Sequence, residues 1–378
     1  MRRLWPLFAA LVVFLILGAA LLSNRYGRAA LASAIFLPDL MVDIPLRPVT
    51  WITSDPIREE VTLRYGSRSM EAEVYRPDDD DRHGAVVFAM GAPPLERDDH
   101  RLVRLADAAA RSGLVMLIPF SEDLDNELIV PEEVDALVAA FQFLRDQEYV
   151  KPDKIGYFGV SVGASLALLA ASDDGIKDDV DFVVAFGGYY NALDLLKAVT
   201  TETISYDGTQ ESWEPRWHTV KVMSKQIILR LDDAGDRDIL WRIFIQRENS
   251  SSSDLQRLSP EGRATYEFLS NRDPSRFEEL LEGLPQPALE ALELLSPSRR
   301  VEEVRAELFI LHDQGDTFIP YVESRRLRDR LAGRENVHYT ELAIFEHVEP
   351  TSEKGALALF LDGSKLYYRL YQLLLRVS

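Results

Sequence analysis

Between Glu60 and Tyr75 polar and apolar residues alternate along two runs, EVTLRY and MEAEVY, separated by Gly-Ser-Arg-Ser, which predicts a β-hairpin with one face buried. From Ala85 to Met90 the alternation gives way to a continuously apolar run, AVVFAM, the pattern of a strand covered on both faces. Helical spacing follows in HRLVRLADAAARSG, which stops at Gly113. Then come a buried strand, LVMLIPF, a helix in PEEVDALVAAFQFLRDQE with Pro131 near its start and acids in its first turn, and another strand, KIGYFGV. Doubly buried strands alternating with helices predict a mostly parallel sheet with helices on both faces, an α/β fold.

After a helix beginning near Ala164 and a strand in DFVVAFGGYY, the buried-strand signal is lost for about a hundred residues and returns only at AELFILHD. A connection that long is far outside the range of loops, so it predicts a structured insertion. Helical spacing in ALDLLKAV, SKQIILRL, SRFEELLEGL and PALEALELL makes residues 191–298 a helical cap, interrupted by the polar RENSSSSD. The cap divides the core into a first half, 59–190, and a second half, 299–378. The second half carries a helix (YVESRRLRDRLAG), a strand (VHYTELA) and a final helix, ALALFLDGSKLYYRLYQLLLRV, whose apolar face is expected in the core.

The N-terminal pattern differs from all of this. Leu4 to Leu22 carries no charge, and nineteen helical residues reach about the thickness of a bilayer's hydrocarbon. Residues 1–24 are therefore expected to be a transmembrane signal anchor. The small-x-small triplets Ala30-Leu31-Ala32 and Ala32-Ser33-Ala34, which a cleaved signal peptide would use, lie well beyond the end of an apolar run that is itself too long for one. Arg2 and Arg3 are answered by Arg25 and Arg28, so charge orients the segment weakly, with a lean toward an extracytoplasmic catalytic domain. Residues 25–58, with Pro38, Pro45, Pro48 and Pro56 among apolar neighbours, read as a juxtamembrane segment too interrupted for a helix and too apolar for a free linker.

Composition removes several functions. With 62 Asp and Glu against 42 Lys and Arg, a net charge of −20 opposes nucleic acid as a partner. The chain has no cysteine, which removes disulfides, thiolate chemistry and Cys-ligated zinc. SEDLDNE (121–127) could line a pocket or hold a cation, but it lacks the glycine and terminal Glu of a calcium loop, so a solvated loop is expected and no metal or cofactor is assigned.

Chemistry is suggested by Gly159-Val160-Ser161-Val162-Gly163, which lies where KIGYFGV ends and the helix ASLALLAAS begins. Two small residues let the chain reverse there and expose a serine hydroxyl at the carboxyl edge of the sheet, above a helix N-terminus. Such a hydroxyl needs a base, and the base needs an orienting group. Of the six histidines, His83, His100, His218, His312 and His338 lie in other settings. His347 alone follows the last strand in a loop, IFEHVEP, that can reach over the sheet edge. For the acid, Asp316 is better placed than Asp313 in LFILHDQGDTFIP, and Asp194 is held in reserve. Trp213, Trp217 and Trp241 are expected either to wall the substrate site or to form the core of the cap.

These residues, in the order Ser, Asp, His, resemble the α/β-hydrolase superfamily in the style of its dienelactone-hydrolase-like and prolyl-oligopeptidase-like branches, from about Glu60 to the C-terminus apart from the cap. The resemblance implies Ser161 as nucleophile, His347 as general base and acid, Asp316 as its orienting carboxylate, and an oxyanion hole from the backbone N–H groups of Val162 and Ala92. It implies a serine esterase or thioesterase acting on a small-molecule ester or thioester without a cofactor. An oligopeptidase-type peptidase and a non-catalytic hydrolase-like binding module are the alternatives. The sequence departs from the family where Met90 precedes Gly91 in place of His, and where Asp313 follows His312 in place of Gly.

Overall fold

The computed structural model describes residues 23–41, 47–51, 53–347, 349–350 and 355–377. The expected membrane span, Leu4 to Leu22, lies outside them. Among the described residues no helix is long and apolar enough to cross a membrane.

An antiparallel hairpin, β1 (Ile57–Tyr65) and β2 (Arg68–Arg76), opens an eight-stranded sheet. It continues with β3 (His83–Ala89), β4 (Leu114–Phe120), β5 (Val150–Val160), β6 (Phe182–Phe186), β9 (Glu307–Asp313) and β10 (Val337–Leu342), in the spatial order β1-β2-β4-β3-β5-β6-β9-β10. β2 meets β4 antiparallel, and every pairing from β4 to β10 is parallel. The apolar runs explain the arrangement. Val86, Val87, Val115, Leu117, Ile118 and Ile155 are closed to solvent because the sheet is covered on both faces.

Helices longer than two turns are numbered along the chain. α1 (Arg25–Met41), α2 (His100–Arg111) and the C-terminal α11 (Ala356–Val377) lie on one face. α3 (Glu132–Arg145) and α4 (Val162–Ala170) lie on the other. Between β6 and β9 run α5 (Ala192–Thr201), α6 (Trp217–Ile228), α7 (Ala234–Phe244), α8 (Pro260–Leu269) and α9 (Gln286–Leu294), together with a short hairpin of β7 (Thr203–Tyr206) and β8 (Thr209–Ser212). α10 (Val322–Arg330) follows β9. The sheet order and the sharp β5–α4 junction are those of the α/β-hydrolase fold.

The expectation that residues 25–58 form no helix is corrected by α1, which contains Pro38. Ala29, Ser33 and Phe36 lie on one buried stripe of it, the Ser33 hydroxyl donates to Ala29 O, and Tyr367 of α11 donates to Ala30 O. Tertiary burial of that stripe outweighs a single interior proline, which local sequence reading cannot weigh.

Glu133, at the start of α3, is almost fully buried and accepts a hydrogen bond from the Ser121 hydroxyl. Burial pushes its carboxyl up to about 7, against the opposing Ser121 contact. Its folded-state value thus lies above the unfolded one, so between about pH 4.5 and pH 7 the folded state holds the extra proton. Stability falls as pH rises through that window, by on the order of 3 kcal/mol. Glu133→Gln is expected to abolish this loss, leaving the variant more stable than wild type at pH 8 and close to it at pH 4. Denaturant unfolding across that range measures it, and parallel pH profiles would contradict it.

Candidate active site

Ser161 lies between β5 and α4 with φ 56° and ψ −132°, a backbone state that costs a non-glycine residue about 1–3 kcal/mol. The close approach of strand and helix enforces it. A Cβ at Gly159 would lie 2.5 Å from Gly163 O, and one at Gly163 would lie 2.2 Å from Ala89 O, so only glycine fits either position. The Ser161 N–H donates to Phe186 O at 2.8 Å, which pins the turn to the end of β6. Val162 opens α4, where the first N–H groups of a helix have no intrahelical acceptor.

Gly91, in the loop after β3, passes directly over the serine. A Cβ built there would be 3.4 Å from Ser161 Oγ. The next residue, Ala92, accepts a hydrogen bond on its carbonyl from His218 Nε2 of α6 at 2.7 Å, which ties this loop to the cap.

At the far edge of the site, His347 has φ 60° and is buried. Its Nδ1 is 2.6 Å from Asp316 Oδ2. The other carboxylate oxygen, Oδ1, accepts the N–H groups of Phe318 at 2.7 Å and Ile319 at 3.0 Å. His312 Nε2 donates to Ile319 O at 2.9 Å and lies 3.2 Å from Asp316 Oδ2. Burial alone would push the Asp316 carboxyl up, but His347 and His312 hold it far below the usual carboxylate range. Trp213 Nε1 donates to Asp316 O at 2.9 Å, and the Phe318 ring stacks on the His347 ring with centroids 4.8 Å apart.

The remaining imidazole nitrogen, His347 Nε2, is buried and makes no hydrogen bond. It therefore does not engage the Ser161 hydroxyl directly. Both side chains line one cavity of about 1000 Å³. Catalytic hydrogen bonds are often long without substrate and tighten in the bound complex, so this arrangement can assemble a proton relay.

The two departures from the family pattern have structural roles. Asp313 accepts Gly315 N–H on Oδ1 and Phe345 N–H on Oδ2, both at 2.8 Å, and so ties the loop carrying Asp316 to the loop carrying His347. Met90 is buried in the core on the α1, α2 and α11 side and lines the cavity, while Gly91 after it lies over Ser161.

Other candidates lie elsewhere. Asp194 faces Arg326 on α10. In SEDLDNE, Ser121 caps a one-turn helix and Glu127 pairs with Lys221 and Lys225 of α6, so the segment docks the cap. Among the described residues no cluster of side chains suits a metal. Trp213 is buried, Trp217 is exposed with Arg247 over its ring, and Trp241 packs on the hydrophobic core. None of the three lines the cavity.

His218 and His312 were not assigned to the site from the sequence, and Trp213 was offered only as a cavity wall or cap core, not as a partner of Asp316. A polar His312 at the end of a strand apolar on both faces, between buried Leu311 and Asp313, could have marked that residue. Nothing local marks the other two, whose partners are about a hundred residues away or more.

No protein-family model and no curated protein sequence matches the chain. Among solved structures it is similar to 2,6-dihydroxy-pseudo-oxynicotine hydrolase, with TM-score 0.48 and 15% identity over 84% of this chain and 68% of that one. It is also similar to an uncomplexed acylaminoacyl peptidase from Pyrococcus horikoshii (0.49, 13%, 86% and 43%) and to puromycin hydrolase (0.47, 16%, 84% and 40%). The chain spans about two fifths of the length of those last two.

Proposed function

We propose that the protein is a serine hydrolase, tethered to a membrane through Leu4–Leu22 with its catalytic domain outside the cytoplasm, that cleaves a carboxylic ester or thioester. One observation carries the reading. A buried carboxylate–imidazole pair, Asp316 with His347, leaves Nε2 without a partner in the cavity that holds Ser161 on a strained elbow.

In this mechanism His347 Nε2 takes the Ser161 proton as Oγ attacks the acyl carbon. The negative charge that develops on the carbonyl oxygen is met by the N–H groups of Val162 and Ala92 at the positive end of α4. Asp316, held ionised, fixes the tautomer with the proton on Nδ1 and stabilises the imidazolium. His347 then protonates the departing alcohol or thiol. Water, deprotonated by the same nitrogen, attacks the acyl-Ser161 ester, releasing the acid and restoring the hydroxyl.

Treating the full-length chain with a fluorophosphonate probe is expected to label Ser161, mapped by peptide mass spectrometry, and p-nitrophenyl acetate is expected to be turned over. Labelling elsewhere, or labelling of Ser161→Ala as strong as wild type, would reject the assignment. Proline-containing peptides tested beside the esters are expected to stay intact, and their preferential cleavage would move the reading to a peptidase.

A further inference from the structure

The cavity does not end at the cap. It continues past Ser161 to the opposite face of the sheet and runs between the central strands and the layer formed by α1, α2 and α11. A parallel sheet covered by helices should close every side chain on its central strands. Here Phe158, Val160 and Val184, which point to this face from the adjacent strands β5 and β6, keep accessible surface, while the intervening Gly159, Val183 and Ala185 are buried. The hollow under the helices accounts for it, with Leu37, Leu366 and Leu373 in its opposite wall.

No acidic residue lines this cavity among the described residues. Three arginines, Arg101, Arg104 and Arg369, also line it. Arg369 is occupied by Thr340 Oγ1 at 2.8 Å and Tyr339 O at 3.2 Å, Arg101 by Asp99 at 2.8 Å, and Arg104 too is engaged. Leu37, Phe158, Val184, Leu366 and Leu373 present apolar surface to this part of the cavity, and apolar walls favour an apolar ligand. A peptide threaded there would bury N–H and C=O groups without partners, whereas a hydrocarbon chain would not.

We infer that the space between the sheet and α1, α2 and α11 is an acyl-chain site, and that the substrate is a long, linear acyl ester or thioester whose carbonyl sits at Ser161 while its tail lies over Phe158 and Val184. This rests on the reading of Ser161 as the acyl acceptor. It adds the substrate class and gives α1, the helix that follows the apolar N-terminal run, a part in binding.

The test uses the full-length chain and p-nitrophenyl esters from acetate through octanoate and laurate to palmitate. Each added methylene is expected to raise kcat/KM about threefold until the hollow is filled. Val184→Phe and, from the helix side, Leu373→Phe narrow the hollow and are each expected to cut the laurate-to-acetate ratio of kcat/KM by about tenfold or more. Fluorophosphonate labelling of Ser161 in each variant reports that it is folded. A flat chain-length series with acetate turned over, or ratios unmoved in both folded variants, would overturn the acyl site while leaving the hydrolase reading intact. Calorimetric titration of Ser161→Ala with palmitate needs no turnover. Binding at one site that Val184→Phe weakens by about tenfold supports the acyl-chain site, whereas no binding rejects it; binding without cleavage of any ester would overturn the substrate assignment and the hydrolase reading together.

Discussion

Ser161→Ala is expected to lower ester turnover by about a millionfold, the scale of removing the nucleophile from a triad that acts as a unit. The loss should fall on kcat, because the hydroxyl is needed for chemistry while the cavity and the backbone donors survive. Alanine pays much the same backbone strain as serine at φ 56°, and the elbow's anchors, the 161 N–H to Phe186 O and the two glycines, are untouched. The melting temperature should therefore stay near wild type. Steady-state kinetics beside thermal unfolding separates the two effects, and a well-folded variant that retained most turnover would reject Ser161 as nucleophile.

Asp316→Asn is the second large effect, expected at about ten-thousandfold in kcat. Asparagine can keep its oxygen toward the N–H groups of Phe318 and Ile319, the partners of Oδ1. Its NH₂ then replaces Oδ2 and faces His347 Nδ1 and His312 Nε2. That position now offers a donor, so His347 is driven to the tautomer with its proton on Nε2, which cannot accept the Ser161 proton. The shape of the site changes little while the proton relay fails. Kinetics measure the loss, and NMR of the imidazole nitrogens should report the exchanged tautomer. A variant with near-normal kcat and the wild-type tautomer would show that Asp316 does not orient the base.

The parts of the site legible in the sequence are those whose geometry is local. Gly159 and Gly163 flank Ser161 because strand and helix backbones approach too closely for any Cβ, and that requirement is written in the pentapeptide itself. Asp316 and His347 could be placed because each follows a strand of strong apolar pattern, and strand exits in a parallel sheet share one edge. Asp313 was visible as a departure from pattern, but its role was not. Its carboxylate serves Gly315 and Phe345, and the second of these is thirty-two positions away.

The amino-acid sequence by itself determined the layered sheet, because that follows from the period of burial, and it offered the long connection between β6 and β9 and the candidates Ser161, Asp316 and His347 in that order. Only the tertiary structure decided that residues 25–41 are a helix despite Pro38, that His218 of the cap holds the Ala92 carbonyl, and that Trp213 braces Asp316. It also decided that the sheet's second face is hollow beneath α1, α2 and α11. An apolar residue reads the same in sequence whether its partner is another side chain or an open cavity. Distance between packed layers, not hydrophobic pattern, makes that difference.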